Sequence, residues 1–482
     1  MASPAPDLPL AGVRVVDLAE GHFQGVGRQL ADLGAEVLRI EPPGGSADRQ
    51  GGVRSAGTSL TFAVLNANKS GASADVSTDQ GRAELAALVV DAAVVLVSAE
   101  SDFFRTGLFD REEAARRFPS TVVVVLSDFG LTGPKSGWRA TPAVLFAQST
   151  LLASSGMPDV VEPLLPPSFL AYGSATVQAV WATLVAYVHA RRNGRGDYVD
   201  FSALEGLIQT IDPPVGMTGT ARAGQSMADL PRGRPSAGHL YPIFPAADGH
   251  VRICLLAPRQ WQGMFRWLGE PEEFADPEYA VIRTRYAAAD RLYPVIGELL
   301  AGLTCDQAVE QGGAHGVPIA EVAPVEHVLA EPAFRAAGDF SELALADGRI
   351  ATVPLGVYEI DGVRAGVRSP APDLPLDAPA SPRPEAASGA RTATSPSPAH
   401  PFSGLRVLDL GVIVVGAELG RLFGDHGADV VKVESRSAPD GARTTRPGVL
   451  MNNMVAWGQR NKRSLGLNLK SEGGRAIFAR LV

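Results

Sequence analysis

Blocks of β-branched and leucine residues alternate with helical patterns along the N-terminal part of the chain. Val13–Leu18 reads as a strand, about Gly27–Leu33 as a helix, and Glu36–Ile40 as a second strand. A helix at Asp79–Val90, a strand at Ala93–Ser98, a short helix at Arg111–Arg117 and a strand at Val122–Leu126 continue the alternation. The strands are apolar at consecutive positions, which means both faces are covered, as in a parallel sheet made of βαβ units. Gly173–Arg191 is apolar nearly all round and reads as a long buried helix. Gly194-Arg195-Gly196 stops it, and Tyr198-Val199-Asp200-Phe201 begins another strand. From about Ser236 the pattern changes. His239–Phe244 and His250–Leu255 flank Ala247-Asp248-Gly249, whose Asp-Gly pair signals a hairpin, and a helix carrying Trp261, Phe265, Trp267 and Leu268 as a core stripe follows. The fold class is therefore α/β: a parallel-sheet large domain over residues 1–230 and a smaller α+β domain over 231–365.

The chain then repeats itself. Leu10-Ala11-Gly12-Val13-Arg14-Val15-Val16-Asp17-Leu18 is answered by Phe402-Ser403-Gly404-Leu405-Arg406-Val407-Leu408-Asp409-Leu410 at an offset of 392. Gly34-Ala35-Glu36-Val37 is answered by Gly427-Ala428-Asp429-Val430 at 393, as are Asn68-Lys69 by Asn461-Lys462 and Gly81-Arg82-Ala83 by Gly474-Arg475-Ala476. Residues 402–482 are thus expected to be the start of a second copy of the large domain. Val482 answers Val89, inside a helix, and this copy is expected to be truncated. Between the copies, residues 366–401 are dense in Pro, Ala and Ser and read as a semi-extended linker.

Composition narrows the function classes. A net charge of −9 without basic blocks argues against a nucleic-acid partner. No apolar run approaches the length of a membrane helix, and Met1-Ala2-Ser3-Pro4 has no basic n-region, so no membrane partner and a cytoplasmic location are expected. Two cysteines, Cys254 and Cys305, make no zinc site, and the histidines show no metal spacing; no metal is expected, and His239 and His250 read as structural. Gly25-Val26-Gly27 lacks the third glycine of a dinucleotide fingerprint and reads as ordinary loop. Only Lys69, Lys135, Lys432, Lys462 and Lys470 are lysines, which makes each more informative than an arginine.

The Leu-x-Gly-x-Arg-Val-x-Asp opening, Asp32-Leu33-Gly34-Ala35-Glu36-Val37, Glu41-Pro42 and Asn68-Lys69, taken in order, resemble the CoA-transferases of family III. So do Ser127-Asp128-Phe129-Gly130-Leu131-Thr132-Gly133-Pro134, the segment Arg191–Gly196 and Tyr241-Pro242 with Asp248-Gly249. This is the group of formyl-CoA transferase, carnitine CoA-transferase and α-methylacyl-CoA racemase. The resemblance covers about residues 9–365 and 402–482. It implies a Rossmann-like large domain, acyl-CoA or CoA as substrate with no covalently bound cofactor, and a homodimer or an intrachain pseudo-dimer with the second copy. It also implies an aspartate that attacks the thioester and carries an acyl anhydride and then a CoA thioester; a carboxylate suits this because it is nucleophilic at neutral pH.

The same resemblance points to Lys69, Asp75, Ser98, Arg105, Phe129 and Gly130 as CoA contacts, with Lys462 and Lys470 in the second copy. For Arg105 a solvated arginine at a helix start, and for Lys69 a surface turn lysine, stand as the alternatives. The nucleophile's place falls on Phe169-Leu170-Ala171-Tyr172-Gly173, at Ala171, which has no nucleophile. The racemase acid–base pair is missing too, since Thr141 and Pro142 stand there, and Asp159 and Asp197 sit in expected loops. The expected catalytic set of this chain is empty. Two functions compete: the catalytically degenerate, CoA-binding half of a CoA-transferase, or a non-catalytic scaffold or decayed gene product that retains only the fold.

Overall fold

The computed structural model describes residues 8–156, 160–210, 242–374, 376, 400–436, 440–443 and 453–482, which form two compact units. In the larger, alternate residues of short strands enter two different cores. The strands are β1 (Arg14–Leu18), β2 (Glu36–Glu41), β3 (Ser70–Ser73), β4 (Val94–Ser98), β5 (Val122–Ser127) and β6 (Tyr198–Ser202). All pair in parallel, in the order β3-β2-β1-β4-β5-β6. This is the doubly wound Rossmann order, which reverses direction between β1 and β4. On one face Val15, Val37, Val94, Val122 and Val124 pack against helices α1 (Gln24–Asp32) and α3 (Phe169–Asn193). On the other, Val16, Ile40, Val95, Val97, Val123 and Val125 meet Leu85, Leu88 and Val89 of α2 (Asp79–Val90), with Phe103, Phe109 and Phe118. Each such buried side chain contributes roughly 1.5–3 kcal/mol.

Helix α3 starts at Phe169, earlier than the expected Gly173, and ends at Asn193, where Gly194 turns left-handed at φ +68° and its N–H reaches Ala190 O. Contrary to the sequence expectation, α3 is long and apolar enough to cross a bilayer, the one such helix among the described residues. Ala171, Ala175, Ala179 and Ala186 bury one side of it in the sheet core, so packing accounts for that apolarity.

A buried ion pair ties the sheet to its first helix. Lys69 Nζ lies 2.7 Å from Asp17 Oδ2, with both side chains wholly buried, and also donates to Gln24 O (2.8 Å) and Asn66 Oδ1 (2.9 Å). Asp17 Oδ1 accepts from the Ala19 N–H at 3.0 Å. A Cβ at position 27 would overlap the Asp17 carboxylate, so only Gly27 lets α1 lie this close. Burial lowers the Lys69 ammonium to about 8, opposed by the Asp17 charge. Beside it, Arg39 donates to Ala19 O, Glu41 and Asp48.

The same connectivity recurs near the C-terminus, in a three-stranded parallel sheet of Arg406–Asp409, Asp429–Glu434 and Lys462–Gly466. Lys462 pairs with Asp409 at 2.7 Å and donates to Ala417 O and Gln459 Oε1. Gly420 stands where Gly27 does, and Lys432 takes the place of Arg39, reaching Gly411 O and Asp440. Every one of these positions is offset by 392 or 393. The covering differs. Leu18 is 1% exposed and its counterpart Leu410 51%; Val26 is 0% exposed and Leu419 55%. This sheet meets the first through Trp181 and Val185 of α3, which pack on Phe402, Phe423, Ala428 and Val430.

Of the described residues, the smaller unit takes in 153–156, 160–164 and 242–339. Its sheet runs Ile319–Glu321, His250–Ile253, Ile243–Pro245, all antiparallel, around a core of Trp261, Met264, Trp267, Leu292 and Ile296. The expected Asp248-Gly249 turn joins two of these strands; His239 lies outside the described residues. Two expected boundaries are corrected. The hairpins Phe340–Ala344/Ile350–Pro354 and Tyr358–Ile360/Val363–Ala365 belong to the large unit, because Leu343, Leu345 and Val353 pack on Ala63 and Ala67. The start of the expected linker is also held: Asn68 N–H donates to Ser369 O, Arg368 to Asp32 O, and Arg49 to Pro372 O. Residues 377–399 lie outside the described set.

Two outcomes follow from this packing. Lys69→Met strands a buried carboxylate, so urea unfolding should show a loss of about 3–5 kcal/mol, and Asp17→Asn added to it should recover part of that loss. Residues 402–482 expressed alone leave Leu410 and Leu419 in water and an open edge at Arg406–Asp409, and thermal unfolding followed by circular dichroism should show no cooperative transition. A sharp transition from a monomer would contradict the second expectation.

Candidate functional site

In sheets of this type ligands settle beyond the carboxyl ends of the strands, where the strand order reverses. A cavity of about 450 Å³ lies there, formed by Glu20 after β1, Pro42 and Pro43 after β2, Asp75 after β3, and Phe103 and Arg105 after β4. Arg82 of α2 reaches it and also lines a neighbouring cavity of about 490 Å³ with Glu113 and Arg117. Pro42, Pro43 and Phe103 supply apolar walls.

The arginines here are paired with carboxylates. Arg105 holds Asp102 at 2.6 Å, and Arg82 holds Asp79 and donates to Val76 O at 2.7 Å. The Asp75 carboxylate accepts from the N–H and hydroxyl of Ser77, closing the turn that leads to Thr78, whose hydroxyl caps α2 at Gly81 N–H. Ser98 Oγ accepts the Glu20 N–H at 2.9 Å, clamping the ends of β1 and β4 together. Burial, with Asp48 next, raises the Glu20 carboxyl above the ordinary carboxylate range.

A second cluster lies around the first turn of α3. The Tyr172 hydroxyl donates to Asp128 Oδ1 at 2.7 Å, and Asp128 Oδ2 accepts the Ala140 N–H at 2.7 Å. His22 stacks on the Tyr172 ring at 4.0 Å, and burial lowers its imidazole below the ordinary histidine range. Burial and the Asp128 bond together push the Tyr172 hydroxyl far above the usual phenol range. Ala171 sits in this turn, wholly buried, rather than in a loop before the helix.

Of the residues singled out from sequence, Asp75 and Arg105 come together in the cavity, while Ser98 does not line it and instead holds the Glu20 backbone. Phe129 and Gly130 do not line it. Gly130 N–H bonds to Ser127 Oγ, Leu131 N–H to the Asp200 carboxylate, and Phe129 packs edge-on to Trp138 with Lys135 nearby. Lys69 and Lys462 need correcting as ligand contacts, because each buried ammonium already has three acceptors and no proton left to donate. Lys470 is exposed, in the turn before the helix Glu472–Leu481, answering Ser77. Sequence reasoning missed Glu20, Arg82 and the His22–Tyr172–Asp128 group. Arg82 was visible only as a repeated Gly-Arg-Ala, and nothing in the pattern marked Glu20.

Comparison with known proteins agrees with this architecture. The sequence model of CoA-transferase family III matches residues 10–377 and again 402–482. The probable CoA-transferase Rv1866 of Mycobacterium tuberculosis is 44% identical over 475 residues, which is 97% of this chain; the chain spans only 59% of that relative's length. Succinyl-CoA–D-citramalate CoA-transferase of Chloroflexus aurantiacus is 31% identical over 348 residues, 69% of this chain and 83% of the relative. Among solved structures, Rv3272 from M. tuberculosis superposes with a TM-score of 0.64 at 26% identity, covering 77% of this chain and 98% of the other. A CaiB/BaiF family protein from Brucella suis, at 24% identity and a TM-score of 0.61, shares the fold over 78% of this chain and 96% of its own. The doubly wound sheet, the cavity at its switch point and these matches lead to one conclusion: the chain belongs to CoA-transferase family III.

Proposed function

We propose that this chain binds a CoA thioester in the cavity at the carboxyl ends of β1–β4 and does not itself supply the carboxylate that carries the acyl group. One observation supports this above others: the cavity has arginines and apolar walls, whereas the nucleophile's place is the wholly buried methyl of Ala171. Arg105 and Arg82 would exchange their carboxylate partners for the phosphates of the 3′-phospho-ADP end, as charge-assisted bonds. Pro42 and Pro43 would hold the adenine.

The two family matches and the repeated Lys–Asp network support a tandem arrangement, with residues 402–482 as the opening of a second large domain. The working carboxylate would then come from another large domain, as part of a homodimer or an intrachain pseudo-dimer. CoA passing between an acyl-CoA and a carboxylate acceptor is the reaction, with CoA as substrate and no bound cofactor. A scaffold that keeps only the fold is the competing function, and CoA binding separates the two.

Calorimetry with CoA should show saturable binding, and Arg105→Ala should weaken it about ten- to a hundredfold, the worth of one charge-assisted contact. Absence of heat from folded protein would contradict the reading. Acyl-CoA followed by hydroxylamine or borohydride should trap no aspartyl or glutamyl adduct, since loss of a covalent nucleophile removes the route rather than slowing it. An adduct mapped by mass spectrometry to a carboxylate of residues 8–365 would contradict the placement at Ala171. Ala171→Asp puts a charge where the side chain is wholly buried in the sheet core, and should lower stability by at least ~2 kcal/mol in urea unfolding.

A further inference from the structure

Glu20 is the one acid lining the cavity whose carboxylate has no hydrogen-bond or ion-pair partner among the described residues. The other acids are spoken for: Asp102 holds Arg105, and Asp75 accepts from Ser77. Both arginines of the cavity already face carboxylates. The Glu20 carboxylate accepts no hydrogen bond from any described residue, although its backbone is fixed through Ser98 where the strand order reverses. With three acids, Glu20, Asp75 and Asp102, against Arg82 and Arg105, the lining carries an excess of one negative charge, which protonation of Glu20 alone would cancel.

From these placements we propose that Glu20 is a proton-linked gate for the phosphates of CoA: ionised it repels them, protonated it admits them, so binding takes up a proton. This rests on the reading that CoA occupies this cavity. The charged groups facing Glu20 come from each surrounding element. Arg39 lies on β2 and Asp48 in the turn after it; Asp102 and Arg105 follow β4; Asp75 and Arg82 follow β3; His22 is two residues on. Burial, Asp48 and Asp102 hold the carboxyl above its ordinary range while Arg39 and Arg105 pull it down. A phosphomonoester brings about −1.5 to −2 more charge and raises it further. A carboxyl raised by its ligand favours the ligand at low pH, and affinity falls as pH rises through the carboxyl's titration. The fold does not need this acid, because Val412 holds the equivalent place in the C-terminal repeat, where the Asp409–Lys462 network forms all the same.

The test is calorimetric titration of the full chain with CoA at about pH 5.5 and about pH 8, in two buffers of different ionisation enthalpy to count protons. Glu20→Gln and Glu20→Val, the second copying Val412, are run alongside, with thermal melts to confirm folding. Wild type should lose about tenfold more affinity than either variant across this range and should take up a proton that the variants do not. The ratio to the variants cancels the titration of CoA's own phosphate. Equal pH dependence in all three, with CoA bound, would overturn the gate and leave the cavity reading standing. Absence of CoA binding at both pH values, in wild type and variants alike, would overturn the cavity reading and the gate together.

Discussion

The wholly buried pair of Lys69 and Asp17 is the constraint on which the large unit turns. A charged ammonium out of water must find acceptors for all its protons. Here they come from β1, from the first residue of α1 and from the helix that precedes β3. Satisfying them fixes three elements at once and demands a glycine at position 27. Ala19 is held by the same Asp17 carboxylate and by Arg39, so the turn that presents Glu20 to the crevice has little freedom. The network stands again in the C-terminal sheet with lysine in place of arginine at 432, which shows which parts of it are obligatory.

That scaffold explains why the cavity is where it is and what it can do. Parallel strands ending at one edge leave loops there, and the reversal of order between β1 and β4 parts them. The cavity's arginines are held in place by Asp79 and Asp102, an arrangement that stays ordered when empty but must surrender those pairs to a ligand. Its balance of charge is therefore set by the acids, of which Glu20 alone has no hydrogen-bond or ion-pair partner among the described residues.

Much of the sheet was legible because Val13–Leu18, Ala93–Ser98 and Val122–Leu126 are apolar at consecutive positions, and the repeat exposed Asp17 and Lys69 as a recurring set. The role of that set was not legible. A scarce lysine after an asparagine reads as a ligand contact, and only the fold shows that β1 and the turn before β3 bring it onto Asp17. Sequence order places the hairpins of residues 340–365 with the smaller domain, because their contacts, on Ala63 and Ala67, are distant in sequence. The apolar pattern puts the start of α3 at Gly173, four residues late, although Pro166-Pro167-Ser168 just upstream are ordinary residues for a helix entry. The resemblance points to Ala171 as the nucleophile's place, and the structure adds that this residue lies wholly buried in the first turn of α3.

The central claim is that this chain offers a CoA site without a nucleophile, and a crystal structure of the full chain grown with an acyl-CoA tests it most directly. The account predicts an intact thioester, its adenine against Pro42 and Pro43 and a phosphate on Arg105 released from Asp102. A ligand bound away from this cavity, or an acyl or CoA group joined to a carboxylate of residues 8–365, would contradict it.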